Sequence, residues 1–298
     1  MGMNTNTPPR LSSVGLRVAG FALLMLFLLP CWAPAQDRPL VFAPLPMEDR
    51  ETVIKQFMPM AAYLRQATGR EIVFDINESY DRILDKFRRG EVDLAYIGPL
   101  PYVALRNGDE HAVPLVHFNE PSGEPFYTCA LISLADKAVD TARVENRKIA
   151  LTQPLSTCGY LAASGLLRER GSDLAKNLYR YLNKHDAVAM SVVRGEFDLG
   201  GLKTAIARKY AHLGLAILAE TRPLPSFALV GNAGTLSGGD MDGIRDALAR
   251  LDPSGKDREM LQGWGDNIRH GAVPARDEDY APVRELLGGQ SIPETGNF

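Results

Sequence analysis

Short apolar runs alternate with longer segments of helical spacing along this chain. Residues 39–43 are a short apolar run, and in residues 52–68 the apolar side chains recur at three- and four-residue intervals. These patterns predict a strand followed by a helix. The alternation of strand and helix continues along the chain. Residues 71–74 and 92–97 are strand-like, and they flank a helical pattern at 80–87. Strands joined by single helices pair in parallel through right-handed crossovers, so the pattern predicts an α/β fold.

A weak internal repeat indicates more than one such unit. Residues 89–94, Arg-Gly-Glu-Val-Asp-Leu, match residues 194–199, Arg-Gly-Glu-Phe-Asp-Leu, and each copy follows a helical pattern. One interpretation is that two lobes each contain the same helix, turn and strand. The alternative is that a helix, a glycine turn and a strand form a common local arrangement that occurs here twice.

Two extended apolar segments, 127–133 and 227–230, are the predicted crossings between the lobes. Prolines just before the second segment resist helix formation there. Two crossings make a hinge, and a small ligand would be enclosed in the cleft between the lobes. The predicted first lobe is residues 37–126 plus 232–298, and the predicted second lobe is residues 127–231.

The first 35 residues have the order of a secretory signal peptide. Two arginines stand without any acidic residue before an apolar run at 18–29, and small residues follow at 33–35. This order predicts cleavage before Gln36 and export to the periplasm. A retained membrane anchor is the alternative, but the run of about twelve residues is short for a span, which needs about 20. Lipid modification at Cys31 is disfavoured because Pro30 precedes it.

The composition excludes several classes of protein. The 298 residues are 45% hydrophobic and 23% charged, with 33 basic and 36 acidic side chains and a net charge of −3. This is ordinary globular composition, which excludes collagen, coiled coils and disordered tails. A net charge of −3 provides no field that would hold a phosphate backbone, and the sequence has no basic stripe interleaved with aromatic residues, so nucleic acid is not an expected partner. We expect a monomer.

The histidines and cysteines match no recognisable metal or catalytic pattern. His111 and His117 lie in a loop-like region without paired carboxylates or cysteines, so no metal or other cofactor is expected. Cys158 and His185 could act as a nucleophile and its base, but a third orienting group and an oxyanion motif are missing. The sequence therefore predicts a protein that is not an enzyme.

The segment at 154–159, Pro-Leu-Ser-Thr-Cys-Gly, is the candidate contact for a ligand. It follows a strand-like run at 148–151 and opens a helical pattern. The start of a helix exposes up to four unpaired N–H groups and about half a unit of positive charge, and serine or threonine adds hydroxyl donors. These groups suit an oxyanion. The alternative is an ordinary N-cap without a ligand.

Residues 156–161, Ser-Thr-Cys-Gly-Tyr-Leu, resemble the Ser-Thr-Ser-Gly-Tyr-Leu motif of periplasmic binding proteins for phosphonate, phosphite and phosphate-like ligands. These proteins are the substrate-binding subunits of ABC importers. The resemblance covers essentially the whole exported chain, and the order of residues 77–87, Gly98-Pro99 and 277–287 agrees with it. It implies a type II periplasmic binding protein fold with two lobes, and a membrane permease as partner. By position it implies ligand contacts at Tyr80, Tyr127, Ser156, Thr157, Cys158 and His185.

The resemblance assigns each of these side chains a chemical role. The tyrosine, Ser156 and Thr157 hydroxyls would donate to the oxygens of an oxyanion, and a protonated His185 would add a charged donor. The alternative for Tyr80 and Tyr127 is half-buried packing with a polar tip. For His185 the alternative is an ordinary residue at a helix start.

One departure from the family bears on the ligand. Relatives that bind aminoalkylphosphonates hold the ligand amine with acidic residues, and Ala205 and Phe227 occupy about those positions here. An enclosed ammonium without a carboxylate would be left unpaired at a cost of several kcal/mol. The resemblance therefore implies a ligand without a cationic amine, such as phosphite, phosphate or an alkylphosphonate.

A second departure is Cys158, which replaces the second serine of the motif. A helix start favours the thiolate, which is a poor oxyanion ligand but a good ligand for a soft metalloid. Some members of this family are arsenite-binding regulators that signal to a sensor histidine kinase, so Cys158 or Cys129 could be an arsenite ligand. The alternatives are a disulfide between these two cysteines, which thiols in an oxidising compartment form by default when the geometry allows, and an inert substitution.

Overall fold

The computed structural model describes residues 1–4, 38–137, 139–140 and 143–298, and Pro39–Phe298 form one compact unit. The predicted signal peptide lies outside the described residues, apart from residues 1–4, and so does its cleavage site. Among the described residues, no helix combines the length and the apolar character that crossing a bilayer requires.

Thirteen strands and nine α-helices are described in Pro39–Phe298. The strands are β1 (Leu40–Pro44), β2 (Ile72–Phe74), β3 (Leu94–Ile97), β4 (Ala112–Phe118), β5 (Phe126–Tyr127), β6 (Cys129–Leu134), β7 (Lys148–Leu151), β8 (Leu178–Tyr181), β9 (Leu199–Lys203), β10 (Leu215–Glu220), β11 (Leu224–Pro225), β12 (Ala228–Asn232) and β13 (Ala272–Pro274). The helices are α1 (Arg50–Thr68), α2 (Tyr80–Arg88), α3 (Pro99–Arg106), α4 (Ala162–Arg168), α5 (His185–Val193), α6 (Thr204–Lys209), α7 (Gly238–Ala249), α8 (Arg258–Gln262) and α9 (Ala281–Leu287). A π-helical turn at Thr157–Leu161 leads into α4.

Two separate sheets form the cores of the two lobes. The first has six strands in the order β13-β4-β12-β3-β1-β2, and the second has five in the order β10-β6-β9-β7-β8. β1 pairs in parallel with β2 and β3, and β7 pairs in parallel with β8 and β9. The predicted parallel strand–helix–strand units are therefore present in both lobes. The remaining pairs of the two sheets are antiparallel.

The sequence repeat corresponds to the same turn in both lobes. After α2 and after α5 the chain turns at a left-handed glycine, Gly90 (φ 71°) and Gly195 (φ 70°), which only glycine adopts without strain. The aspartate side chain of each repeat then accepts a hydrogen bond from a backbone N–H near the start of the neighbouring parallel strand. Asp93 Oδ2 lies 2.8 Å from the Val41 nitrogen, and Asp198 Oδ2 lies 2.9 Å from the Lys148 nitrogen. The duplicated hydrogen bond explains why the two hexapeptides are similar.

A third, two-stranded sheet belongs to the predicted connection between the lobes. The two-stranded sheet of β5 and β11, which pair antiparallel, lies between the two large sheets in the chain order. Residues 228–230 of the segment predicted as the second crossing belong to β12, a central strand of the first sheet that is buried at all five positions. A strand buried on both faces is as uniformly apolar as a crossing segment, so the sequence pattern did not distinguish them. The predicted end of the second lobe at residue 231 falls inside this strand, and the lobe bounds stay a prediction.

The C-terminal segment, residues 290–298, contacts the second sheet at β8. The Asn297 nitrogen donates to the Tyr179 carbonyl at 3.0 Å, and the Tyr179 nitrogen donates to Asn297 Oδ1 at 2.7 Å. The Tyr181 hydroxyl donates to the Pro293 carbonyl at 2.8 Å, and the Arg180 guanidinium lies 4.5 Å from the centroid of the Phe298 ring. The segment thus covers β8, an edge strand whose unpaired backbone groups would otherwise face solvent.

Candidate ligand-binding site

A cavity of about 320 Å³ lies between the two lobes, lined by residues of both. All the side chains expected as ligand contacts lie on its wall: Tyr80, Tyr127, Ser156, Thr157, Cys158 and His185. They come from four separate parts of the chain, which the fold brings together. Tyr80 and His185 are the first residues of α2 and α5, Tyr127 ends β5, and the other three lie at the π-helical turn.

Burial divides the cavity wall into three zones. The deep end is buried and carries hydroxyl groups from Tyr80, Tyr127, Ser156 and Thr157. A half-buried zone follows, and we call its four apolar side chains the apolar collar. The apolar collar consists of Met47, Leu155, Ile206 and Phe227. The exposed mouth carries polar and charged side chains, namely Glu48, Asp49, Lys184, Asp186 and Asn267.

Burial keeps the two deep tyrosines protonated. Desolvation raises the pKa of Tyr80 and the pKa of Tyr127 above the ordinary tyrosine value. For Tyr127 a hydrogen bond from Thr157 acts in the opposite direction, but desolvation is the larger effect. Both phenols therefore remain hydrogen-bond donors throughout the physiological pH range.

The Thr157 hydroxyl joins the two lobes. Its Oγ1 accepts a hydrogen bond from the backbone nitrogen of Leu100, in the first turn of α3, at 3.0 Å. The first three residues of α3 are Pro99, Leu100 and Pro101. Because proline has no backbone N–H, Leu100 is the one residue of these three that can donate a backbone hydrogen bond. Thr157 also hydrogen-bonds the Tyr127 hydroxyl. This hydroxyl was expected to act as a ligand donor, and the structure shows it bonded to groups of the protein.

Burial favours the neutral form of His185 in the protein without a bound anion. Desolvation, with a smaller effect of the Lys203 ammonium, lowers the pKa of His185 from 6.5 to about 4. The backbone nitrogen of Lys203 lies 3.1 Å from His185 Nδ1. Because a backbone N–H can only donate, Nδ1 must be the acceptor, and Nε2 carries the proton. His185 can still donate one hydrogen bond, but without a positive charge at pH 7.

Lys203, which sequence analysis did not single out, also lines the cavity. Its ammonium lies 2.7 Å from both carboxylate oxygens of Glu120 in the first lobe, and each side chain is only 16% exposed. It also lies 5.1 Å from the centroid of the Tyr127 ring. The positive charge is thus already paired across the lobes. Lys203 ends β9, and the ends of parallel strands commonly face a ligand cleft, so its position on a predicted strand was the available signal.

Cys129 and Cys158 form a disulfide, with their Cα atoms 5.0 Å apart. The bond joins the start of β6 to the π-helical turn on the cavity wall. The sequence left a disulfide, a functional thiol and an inert substitution open, and the structure shows the disulfide. A bonded sulfur has no thiolate to offer, so neither Cys158 nor Cys129 is available as an arsenite ligand while the disulfide is intact. The same bond removes the nucleophile from the Cys158 and His185 pair.

The carboxylates of the cavity lie at its mouth. Ala205, at one of the positions where aminoalkylphosphonate binders carry an acidic residue, is exposed and lines a different cavity, next to Glu220 and Arg208. Phe227, at the other position, belongs to the apolar collar and stacks on Tyr96 with 5.3 Å between ring centroids. Among the described residues that line the site, no buried or half-buried position carries a carboxylate. The mouth residues Glu48, Asp49 and Asp186, which sequence analysis did not single out, are exposed.

His111 and His117, the two histidines considered as metal ligands, have structural partners. His117 is buried, with Nδ1 3.1 Å from the Ser226 carbonyl oxygen and Nε2 3.3 Å from Asp279. His111 hydrogen-bonds Asp109 at 2.9 Å. In the part of the chain that the structure describes, no three histidine, cysteine or acidic side chains are grouped in a way that could hold a metal ion.

The match to a family of known proteins extends over most of the chain. Residues 42–280 match the model of a family described as the periplasmic substrate-binding protein of phosphonate ABC transporters. The chain belongs to this family. The phosphonate-binding family is the substrate-binding component of an importer, in agreement with the resemblance of residues 156–161 to its motif.

Individual relatives of the phosphonate-binding family agree with this assignment. The phosphate-import protein PhnD of Mycolicibacterium smegmatis is 24% identical over 172 residues, which are 54% of each chain. This chain therefore matches about half the length of that curated relative. PhnD1 of Prochlorococcus marinus, solved in complex with methylphosphonate, superposes with a TM-score of 0.71 at 16% identity, over 85% of this chain and 98% of its own.

A second solved structure supports the same fold. The binding protein component of an ABC phosphonate transporter from Pseudomonas aeruginosa superposes with a TM-score of 0.68 at 19% identity, over 84% of this chain and 86% of its own. The expected two-lobe periplasmic binding protein fold is confirmed by these superpositions.

Proposed function

We propose that this protein captures a small phosphorus oxyanion, namely phosphite, phosphate or an alkylphosphonate, and delivers it to the membrane permease of an ABC importer. The observation that carries the proposal is the deep end of the cavity. The buried hydroxyl groups of Tyr80, Tyr127 and Ser156 line it, and the half-buried His185 adds its Nε2–H, while the carboxylates that line the cavity stay at the exposed mouth. Neutral donors bind an oxyanion without the desolvation cost of an additional charge.

The comparisons favour phosphorus over other oxyanions. The curated relative is named for phosphate import, and one similar structure holds methylphosphonate. The absence of a carboxylate from the buried and half-buried lining residues described here favours a ligand without an amine next to the anionic group.

Closure of the lobes around the ligand is the proposed mechanism. Hydrogen-bond donors of both lobes reach the ligand together only in the closed form, so the ligand binds the closed form more tightly than the open form. Binding therefore shifts the equilibrium towards the closed form. Two direct contacts between lobes favour that form here, from Thr157 to Leu100 and from Lys203 to Glu120. The closed form would then dock on the permease, which releases the ligand by separating the lobes.

The proposed location is the periplasm, as a monomer, after cleavage of a signal peptide before Gln36. The order of charged, apolar and small residues at 1–35 supports export. The disulfide between Cys129 and Cys158 supports an oxidising compartment.

A thermal unfolding assay with the disulfide intact tests the proposal. The panel is phosphite, phosphate, methylphosphonate, aminoethylphosphonate, sulfate and arsenite. A ligand at 100 times its dissociation constant stabilises the native state by about 2.7 kcal/mol, so a true ligand gives a clear shift in Tm. We expect a shift with at least one of the first three. A shift with sulfate or arsenite alone, or with none of the panel, would contradict the proposal.

A tyrosine variant assigns the shift to this cavity. Tyr80→Phe removes one deep hydroxyl and should weaken binding of the responding anion by about 1 to 2 kcal/mol, which is about five- to thirtyfold. Tyr210→Phe is the matched control, since Tyr210 lies in the second lobe away from the cavity wall. Equal affinities for the two variants would place the anion elsewhere.

A further inference from the structure

The cavity is larger than a bare oxyanion requires. Its volume is about 320 Å³, and because one water occupies about 30 Å³ in the liquid, it could hold about ten waters. Pockets for drug-sized organic ligands begin at about 300 Å³. A phosphate or phosphite ion, bound by the hydroxyls of the deep end, would leave most of this space to water.

The space beyond the deep end is bordered by the apolar collar. Met47 follows β1 in the first lobe, Leu155 and Ile206 belong to the second lobe, and Phe227 lies just before β12. All four are half-buried and line the cavity while part of each packs against a hydrophobic core. Apolar surface that faces a cavity from both lobes is buried on closure if an apolar group fills the space between them.

The mouth limits what such a group can carry. Asp49 caps α1, with Oδ1 3.0 Å from the Thr52 nitrogen, and Asp186 lies 3.5 Å from the Lys209 ammonium. With Glu48 they give the mouth three carboxylates against two ammonium groups, that of Lys184 and that of Lys209 beside Asp186. A second anionic group on the ligand would be repelled there, whereas an uncharged substituent meets no penalty.

We infer that the cavity is built for phosphonates with an uncharged apolar substituent of several carbons, such as butyl or phenyl, and that the apolar collar determines this specificity. The inference rests on the proposed function and refines the ligand class within it. The anionic head takes the deep end, and the substituent lies along the apolar collar. Burying one methylene contributes about 0.8 kcal/mol, which is about fourfold in affinity.

Calorimetric titration with a graded ligand series tests the inference. The series is phosphate, methylphosphonate, butylphosphonate and phenylphosphonate, with the full chain and its disulfide intact. Butylphosphonate, with three more methylenes than methylphosphonate, should bind at least tenfold more tightly, and its heat-capacity change on binding should be more negative because more apolar surface is buried.

Variants of Ile206 connect the effect to the apolar collar. Ile206→Trp fills the space, and Ile206→Ala removes three of the four side-chain carbons, so each should reduce the affinity ratio of butylphosphonate to methylphosphonate at least threefold. Having a larger and a smaller variant keeps the test informative if one of them folds poorly. Ile217→Trp is the matched control, because Ile217 lies on β10, is 38% exposed and does not line the cavity. It should leave the ratio unchanged.

The outcomes separate this inference from the proposed function. If methylphosphonate or phosphate binds and butylphosphonate binds no better, the inference is wrong and the proposed function stands. A ratio that falls equally in the Ile206 and Ile217 variants would also overturn the role of the apolar collar. If no phosphorus compound of the series binds, the proposed function itself fails.

Discussion

Tyr80 and His185 occupy the same position in two copies of one structural unit. Each is the first residue of a helix, α2 or α5, that ends in the Arg-Gly-Glu-x-Asp-Leu turn and leads into a strand of its own lobe. In both lobes the aspartate of that turn bonds the backbone of the neighbouring strand. The two helix starts therefore face the same cavity from opposite lobes because the lobes repeat the same local architecture.

The Thr157 hydroxyl should matter for closure of the lobes. Thr157→Val keeps the shape of the side chain but leaves the buried Leu100 N–H without its acceptor, which costs about 1 to 3 kcal/mol. We expect a lower free energy of unfolding and weaker oxyanion binding in the same variant. Thr157→Ser keeps the hydroxyl and is the control. Urea unfolding and calorimetric titration measure both effects, and a serine variant as impaired as the valine variant would assign them to the lost methyl group.

His185 should make stability depend on pH in a defined window. Its pKa is about 4 in the folded protein against 6.5 for an unperturbed histidine, so the unfolded state binds its proton first as the pH falls. The contribution to stability is complete above pH 6.5 and is lost between pH 6.5 and about 4. Asparagine can accept the Lys203 N–H without titrating in this range. The free energy of unfolding of His185→Asn should therefore fall less than that of the wild type across this window.

The protonation state of His185 also determines how the dissociation constant of the ligand should depend on pH. A neutral His185 has no imidazolium charge to lose between pH 6.5 and 8. After correction for ionisation of the ligand, we expect the dissociation constant to be flat in this range. A dissociation constant that rises through pH 6.5 to 8 in the wild type, but not in His185→Asn, would show that the bound state carries the imidazolium.

The disulfide should contribute to stability rather than to ligand chemistry. Cys129 and Cys158 are 29 positions apart, and closing a loop of that length contributes about 3.6 kcal/mol in the chain-entropy model. Replacing both cysteines by serine should lower the free energy of unfolding by about that amount. Phosphorus oxyanion affinity should survive. Arsenite binding to the oxidised wild type would contradict this assignment, whereas binding only after reduction would identify a thiol pair exposed by reduction.

The Glu120 and Lys203 ion pair should hold the lobes together. Glu120→Gln leaves a largely buried ammonium without its counter-charge, and we expect a loss of about 2 kcal/mol in the free energy of unfolding. Glu124→Gln is the matched control, because Glu124 lies in the same connection between β4 and β5 and is exposed. Unfolding by urea compares the two. Equal effects of the variants would show that the charge of this connection, rather than the pair, is what matters.

Local patterns in the sequence determined the order of the elements, the duplicated unit and the loop that carries the family motif. Helical spacing, the left-handed glycines Gly90 and Gly195 and the aspartates that follow them act over a few residues, so they can be recognised without a fold. The positions of Tyr80, Tyr127 and His185 on the cavity wall followed from the family resemblance. Their spacing alone did not indicate a common site.

Tertiary structure decided the properties that depend on distant partners and on water. Glu120 and Lys203 are 83 positions apart and Leu100 and Thr157 are 57 apart, so their pairing depends on how the two lobes are joined. The charge of His185 depends on desolvation, which only the packed protein supplies. The choice between disulfide and thiol depended on a Cα separation of 5.0 Å, a distance that folding sets and that no local pattern encodes.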